Sequence, residues 1–205
     1  MKKPSAIALL ALSFVFVVAF AAQAARATGP APDAKAALAI GAAVPDFKLP
    51  DADGREHTLA SLKGKSGTVL IFVATRCPVS NAYNGRMQKL AEDYRARGVN
   101  VVGINSNSTE PAAEVKSHAA EKGLKFTILK DAGNLVADRF DAQVTPEAYL
   151  IDASGKLVYR GRIDNARTGY LITATELRDA MEATLAGKPV EKAEAKAFGC
   201  SIKRG

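Results

Sequence analysis

The run from Val69 to Ala74 (Val, Leu, Ile, Phe, Val, Ala) holds no polar position, and it ends abruptly in Thr75, Arg76, Cys77 and Pro78. A strand that is apolar on both faces must be covered on both, as the central strand of a layered α/β sheet is. Proline is well tolerated in the first turn of a helix. The junction therefore predicts a buried strand running straight into a helix, with Cys77 at the helix start. There the unpaired N–H groups and the positive dipole end favour an anion. For cysteine that anion is the thiolate, the form that attacks disulfides and peroxides. Arg76 adds a positive neighbour, so Cys77 reads as a nucleophile whose pKa is lowered by Arg76 and the helix terminus.

The surrounding pattern supports a layered sheet. Val44 to Pro50 and Arg55 to Leu59 flank the turn Asp51 to Gly54 and predict an N-terminal hairpin. After the Val69–Ala74 strand, Tyr83, Met87, Leu90 and Tyr94 recur at helical spacing and predict one helix over 79–97, ended by Gly98. Val99 to Asn105 is a second strand and Glu110 to Lys122 a second long helix. Phe126 to Leu129 and Asn134 to Phe140 follow as a short strand and a short helix. Ala148 to Asp152 and Leu157 to Gly161 read as a second hairpin, and Thr173 to Ala186 as the last helix. Residues 187–205, with Gly199 beside Cys200, read as a mobile tail.

The first residues carry a targeting pattern. Lys2 and Lys3 precede an apolar run over 7–20, and Ala22, Gln23 and Ala24 supply a cleavage motif. Expected boundaries are a signal peptide over 1–24, a Pro- and Ala-rich linker over 25–40, a folded domain over 41–187 and a tail over 188–205. This places the protein in the periplasm or otherwise outside the cytoplasm, with membrane contact only through the signal segment if it stays uncleaved. The net charge of +7 comes with acids interleaved along the helices, so a nucleic-acid surface is not expected. An exported domain of this size does not need its two cysteines as a stabilising staple.

The segment Phe72 to Ser80 resembles the active-site segment of the thioredoxin-like superfamily, with Ser80 in place of that family's second cysteine. Val144 to Asp152 resembles its cis-proline loop and following strand. The hairpin from Pro45 to Gly64 resembles the redoxin branch, the alkyl-hydroperoxide-reductase/thiol-specific-antioxidant family, and the likeness runs in order from about residue 41 to 186. The resemblance implies a central mixed β-sheet flanked by helices on both faces, a cis bond before Pro146, and a loop that presents substrate backbone to the cysteine. It implies Thr75, Arg76, Ser80, Thr145 and Pro146 as substrate-binding positions beside catalytic Cys77.

Ser80 removes the short-range disulfide of a dithiol motif. Thr75 lies two residues before Cys77, whereas peroxiredoxins typically place their threonine three before. Cys200 is the candidate resolving thiol, able to condense with an oxidised Cys77; a one-cysteine cycle with an external thiol is the alternative. His57 and His118 show no ligand spacing, and neither a metal nor a cofactor is expected. Arg139 and Arg162 near strand ends read as solvated. The expected activity is thiol-dependent oxidoreduction, with an external thiol reductant or a disulfide-bearing protein as partner. The alternatives are a peroxidase acting on peroxide and a non-catalytic thioredoxin-fold binding module.

Overall fold

The computed structural model describes residues 37–205. The expected signal peptide and most of the linker lie outside the described residues. A six-stranded sheet forms the centre, with strand order β5-β4-β3-β7-β8-β9. The central strand β3 (Gly67–Phe72) runs parallel to β4 (Val99–Asn105), which runs parallel to β5 (Ile128–Lys130). On its other side β3 pairs antiparallel with β7 (Glu147–Asp152), which turns back into β8 (Leu157–Gly161). A short hairpin of β1 (Lys48–Pro50) and β2 (Glu56–Thr58) precedes this sheet, as expected.

Alternation along the strands divides the core in two. Val69 and Ile71 point to the face covered by α2 (Pro78–Ala82), α3 (Asn84–Arg95) and α6 (Glu176–Leu185), where Tyr83, Met87, Leu90, Tyr94, Leu177 and Met181 are buried. Leu70 and Phe72 point to the opposite face, against the N-terminal hairpin, α1 (Leu59–Leu62) and α5 (Leu135–Phe140). There Tyr149 stands edge-on to Phe72 and Phe140, with ring centroids 5.5 and 5.0 Å apart. Such edge-on pairs add about 0.5–1.5 kcal/mol to the burial itself. Residues of β3 are all buried, which is what an unbroken apolar run needs in order to be stable.

Two expectations change. The single helix over 79–97 is two, divided at Tyr83, whose N–H reaches back only three residues to the Ser80 carbonyl (3.0 Å). The tightened turn ends α2, and α3 restarts from the Tyr83 carbonyl through the Met87 N–H. Helical periodicity survives the break, so the sequence reads as continuous.

The tail is docked along its length. Its first strand, β9 (Glu194–Ala195), lies parallel to β8, and Lys192 pairs with buried Glu176 at 3.0 Å. Phe198 meets Tyr83 edge-on, and Ile202 is buried among the α5-side residues. A second strand, β10 (Cys200–Ser201), pairs antiparallel with β6 (Val144–Thr145). The small, charged composition suggests mobility, but two-residue strands leave no periodicity to read.

Candidate active site

Cys77 sits where the apolar run predicts, between the end of β3 and the start of α2, and is 3% exposed. Its sulfur caps α2: Ser80 N–H donates to Cys77 Sγ at 3.3 Å, the bond a serine or aspartate oxygen makes at other helix starts. The thiol in turn donates to the Thr145 carbonyl at 3.3 Å. The Thr145–Pro146 peptide is cis, as the resemblance implies.

Cys200 completes the cluster. Its strand places it directly opposite Thr145, and its side chain packs against the same buried group as Cys77. Both thiols are free. Burial pushes the Cys77 thiol up, but the Cys200 thiol, the Ser80 N–H, the Thr145 hydroxyl and the Cys200 N–H outweigh it and hold the pKa below its ordinary value of 9.0. The Thr145 Oγ1 is buried and makes no hydrogen bond, so its proton remains available to a thiolate. Burial and the neighbouring Cys77 together push Cys200 up. The pair is therefore asymmetric: Cys77 ionises first while Cys200 keeps its proton.

Arg76 does not play the part expected of it. Its Nε donates to Glu114 Oε1 at 2.9 Å and its Nη2 pairs with Glu114 Oε2, so its charge is committed to a partner on α4 (Ala112–Glu121). Thr75 donates its hydroxyl to the same carboxylate at 2.5 Å. The field that favours the thiolate comes from the Cys200 thiol, backbone N–H groups and the Thr145 hydroxyl instead. Ser80 Oγ accepts from the Ala74 N–H at 3.2 Å and is wholly buried, so it braces the turn under the sulfur. The Thr145 carbonyl accepts from Cys77 and Pro146 follows it across the cis bond; Thr75 and Arg76 form the loop leading into Cys77.

A buried carboxylate holds that loop. Glu110 accepts the Thr75 N–H at 2.9 Å and the Arg76 N–H at 3.0 Å, and also the side-chain amides of Asn105 (2.6 Å) and Asn107 (3.3 Å). Burial pushes its pKa up, but these four donors bring it below the usual carboxylate value. Lys130, buried nearby, donates to Asn105 Oδ1 at 2.7 Å and the Asn107 carbonyl at 2.6 Å. None of this is visible in the sequence, where Glu110 reads as the start of a helix. A second brace runs from His118, at hydrogen-bond distance (2.7 Å) from Asn81 Oδ1, through Asn81 Nδ2 to the Thr75 carbonyl at 2.8 Å. Burial holds His118 below its usual pKa, so it serves this brace as a neutral ring. His57 contacts Asp51, Arg139 binds the Pro45 and Asp46 carbonyls, and Arg162 pairs with Glu176. No group of three or more His, Cys, Asp or Glu suited to a metal occurs among the described residues.

Comparison with known proteins agrees with this geometry. The AhpC/TSA family profile matches residues 40–160. The thiol-disulfide oxidoreductase ResA of Geobacillus thermodenitrificans is 35% identical over 123 residues, 60% of this chain and 69% of that one. A crystal structure of the hypothetical protein SMc02350 from Sinorhizobium meliloti superposes with a TM-score of 0.76 at 36% identity, covering 83% of this chain and 97% of the other. Peroxidoxin BcpB from Mycobacterium tuberculosis shares the fold, with a TM-score of 0.60 at 22% identity over 73% of this chain and 97% of its own. Taken with the sheet order and the cysteine beside a cis-proline, these place the chain in the AhpC/TSA family, as an oxidoreductase of thioredoxin-like fold.

Proposed function

We infer that the protein is a thiol-disulfide oxidoreductase that works through Cys77 and Cys200 as one redox couple. The observation that carries this is Cys200 held opposite Thr145, on whose carbonyl the Cys77 thiol rests. In the first step the Cys77 thiolate attacks a disulfide R–S–S–R′, forming Cys77–S–S–R and releasing R′S⁻. Cys200 then loses its proton and attacks the Cys77 sulfur, giving the Cys77–Cys200 disulfide and RS⁻. An external dithiol returns the pair to the reduced form, so the net electron flow is from that dithiol to the substrate disulfide. Loop residues Thr75 and Arg76, Ser80 beneath the sulfur, and Thr145 with Pro146 shape the surface the substrate sulfur meets. The similarity to ResA supports this chemistry.

Peroxide reduction is the less supported reading. It requires donors aimed at the peroxide oxygens, and the side chains of Thr75 and Arg76 are spent on Glu114. The N-terminal targeting pattern supports an exported protein, and in that compartment a reversible disulfide persists. Among the described residues no helix is long and apolar enough to cross a membrane.

Stopped-flow mixing of the reduced protein with a low-molecular-weight disulfide and, separately, with hydrogen peroxide tests the reading. Fast reaction with the disulfide, slow reaction with peroxide and loss of both in Cys77→Ser is the expected result. Fast saturating peroxide reduction supports the peroxidase instead, and inertness to both supports a binding module.

A further inference from the structure

The residues after Ala197 do more than deliver Cys200. Strand β6 is two residues long, and its backbone edge lies beside Cys77. An open edge of this kind is a template on which an extended chain can pair. Here the chain itself fills it: Cys200 pairs with Thr145, Ser201 with Val144, and the Ile202 N–H donates to the Gln143 carbonyl at 2.9 Å. The strap is locked beyond that point. Ser108 N–H donates to the Lys203 carbonyl at 2.8 Å, Lys203 N–H to Asn107 Oδ1 at 2.7 Å, and Arg204 to Asp138 Oδ1 and the Ala142 carbonyl, each at 2.8 Å. Its approach requires glycine, because a Cβ on Gly199 would stand 1.9 Å from the Thr145 carbonyl oxygen.

We propose that residues Gly199–Arg204 form a built-in strap that sets the specificity of Cys77, admitting small disulfides and excluding disulfides carried on an extended peptide. A small disulfide needs only the sulfur. An extended peptide needs the β6 edge as well, and must first displace the strap and its hydrogen bonds. The proposal rests on the reading above that Cys77 is the attacking thiolate.

The test uses two probes with the same leaving group: thionitrobenzoate disulfides of a ten-residue extended peptide and of N-acetylcysteine. Cys77–S⁻ attacks the cysteinyl sulfur, forming Cys77–S–S–R, and the aryl sulfur leaves as the coloured thiolate, so one release is read per mixed disulfide. The full-length Cys200→Ser protein is the parent, which stops the reaction at this step. Rate constants for peptide and small probe are compared as a ratio, which cancels any change in the thiolate's pKa. Adding Gly199→Val, which drives the strap from Thr145, is expected to move the ratio toward the peptide by about tenfold or more, the scale of the backbone bonds released. Adding Arg204→Glu instead, which loses the Asp138 and Ala142 anchors without touching the Cys77 environment, is expected to move it the same way by a smaller factor.

A ratio unchanged in both variants overturns the strap while leaving Cys77 as the nucleophile. A parent protein inert to both probes overturns the redox reading and the strap with it.

Discussion

The two thiols of the site sit on segments built in opposite ways, and their roles follow from that difference. Cys77 follows a fully buried strand and caps a helix, in a loop gripped by Glu110, Ser80 and Asn81. Its two hydrogen-bond partners, the Ser80 N–H and the Thr145 carbonyl, are main-chain groups. Cys200 lies on a terminal segment held by a two-residue strand pairing, one aromatic contact, a few hydrogen bonds and the Lys192–Glu176 pair further back. Preorganised donors push Cys77 toward the thiolate, whereas Cys200 sits against that same charge and is pushed the other way. The attacking sulfur is held within the main fold, whereas the sulfur that follows it is held on a segment docked against that fold.

The largest effect that could break this contrast comes from Cys77→Ser, which is expected to reduce disulfide exchange to background while Cys200→Ser leaves the first attack intact. Residual exchange carried by Cys200 would show that the two thiols are interchangeable. Alkylation by iodoacetamide across pH sharpens the same contrast. Cys77 is expected to react with a midpoint below 9.0 and Cys200 with one above it. In Cys200→Ala, which removes the neighbouring donor, the Cys77 midpoint should rise and its alkylation rate near pH 7 should fall. Because the folded pKa of Cys77 is depressed, its ionisation stabilises the fold above 9.0, and that contribution is lost as pH falls through the folded value.

Two buried carboxylates probe the two segments through stability. Glu110→Gln places an amide N–H against the Thr75 or Arg76 N–H and is expected to lower unfolding free energy in urea by about 2–3 kcal/mol. Glu176, held at about 2 by Arg162 and Lys192 against the upward push of burial, ties the start of the tail to α6. Its contribution is present above pH 4.5 and is lost as pH falls toward 2. Glu176→Gln should therefore flatten the acid limb of a stability–pH curve by about 1–2 kcal/mol, discounted because Lys192 is largely exposed. An unchanged limb would show that the tail is not anchored there.

How much of this the sequence discloses depends on the range of the interaction. The β3–α2 junction is legible because burial on both faces and a helix-starting proline leave local marks at Val69–Ala74 and Pro78. The hairpins are legible from the turn residues between their strands, and Val99–Asn105 from its apolar run. The break at Tyr83 is hidden because α2 and α3 keep one apolar period. Glu110 grips Thr75 and Arg76 from 35 and 34 residues away, so no local pattern announces it. Arg76 reads as a partner of Cys77 only until Glu114, 38 residues on, is seen to take its charge. In the tail the one legible mark is Gly199: a glycine immediately before a cysteine reads as flexibility, yet it stands where a side chain would collide with Thr145.

The central claim is that Cys77 and Cys200 form one redox couple. Its most direct test is peptide mapping by mass spectrometry after the reduced full-length protein has met one equivalent of a small disulfide. The expected result is a protein lighter by two hydrogens, with a single cross-link joining the peptides of Cys77 and Cys200. A lasting mixed disulfide on Cys77 with Cys200 still free would contradict it.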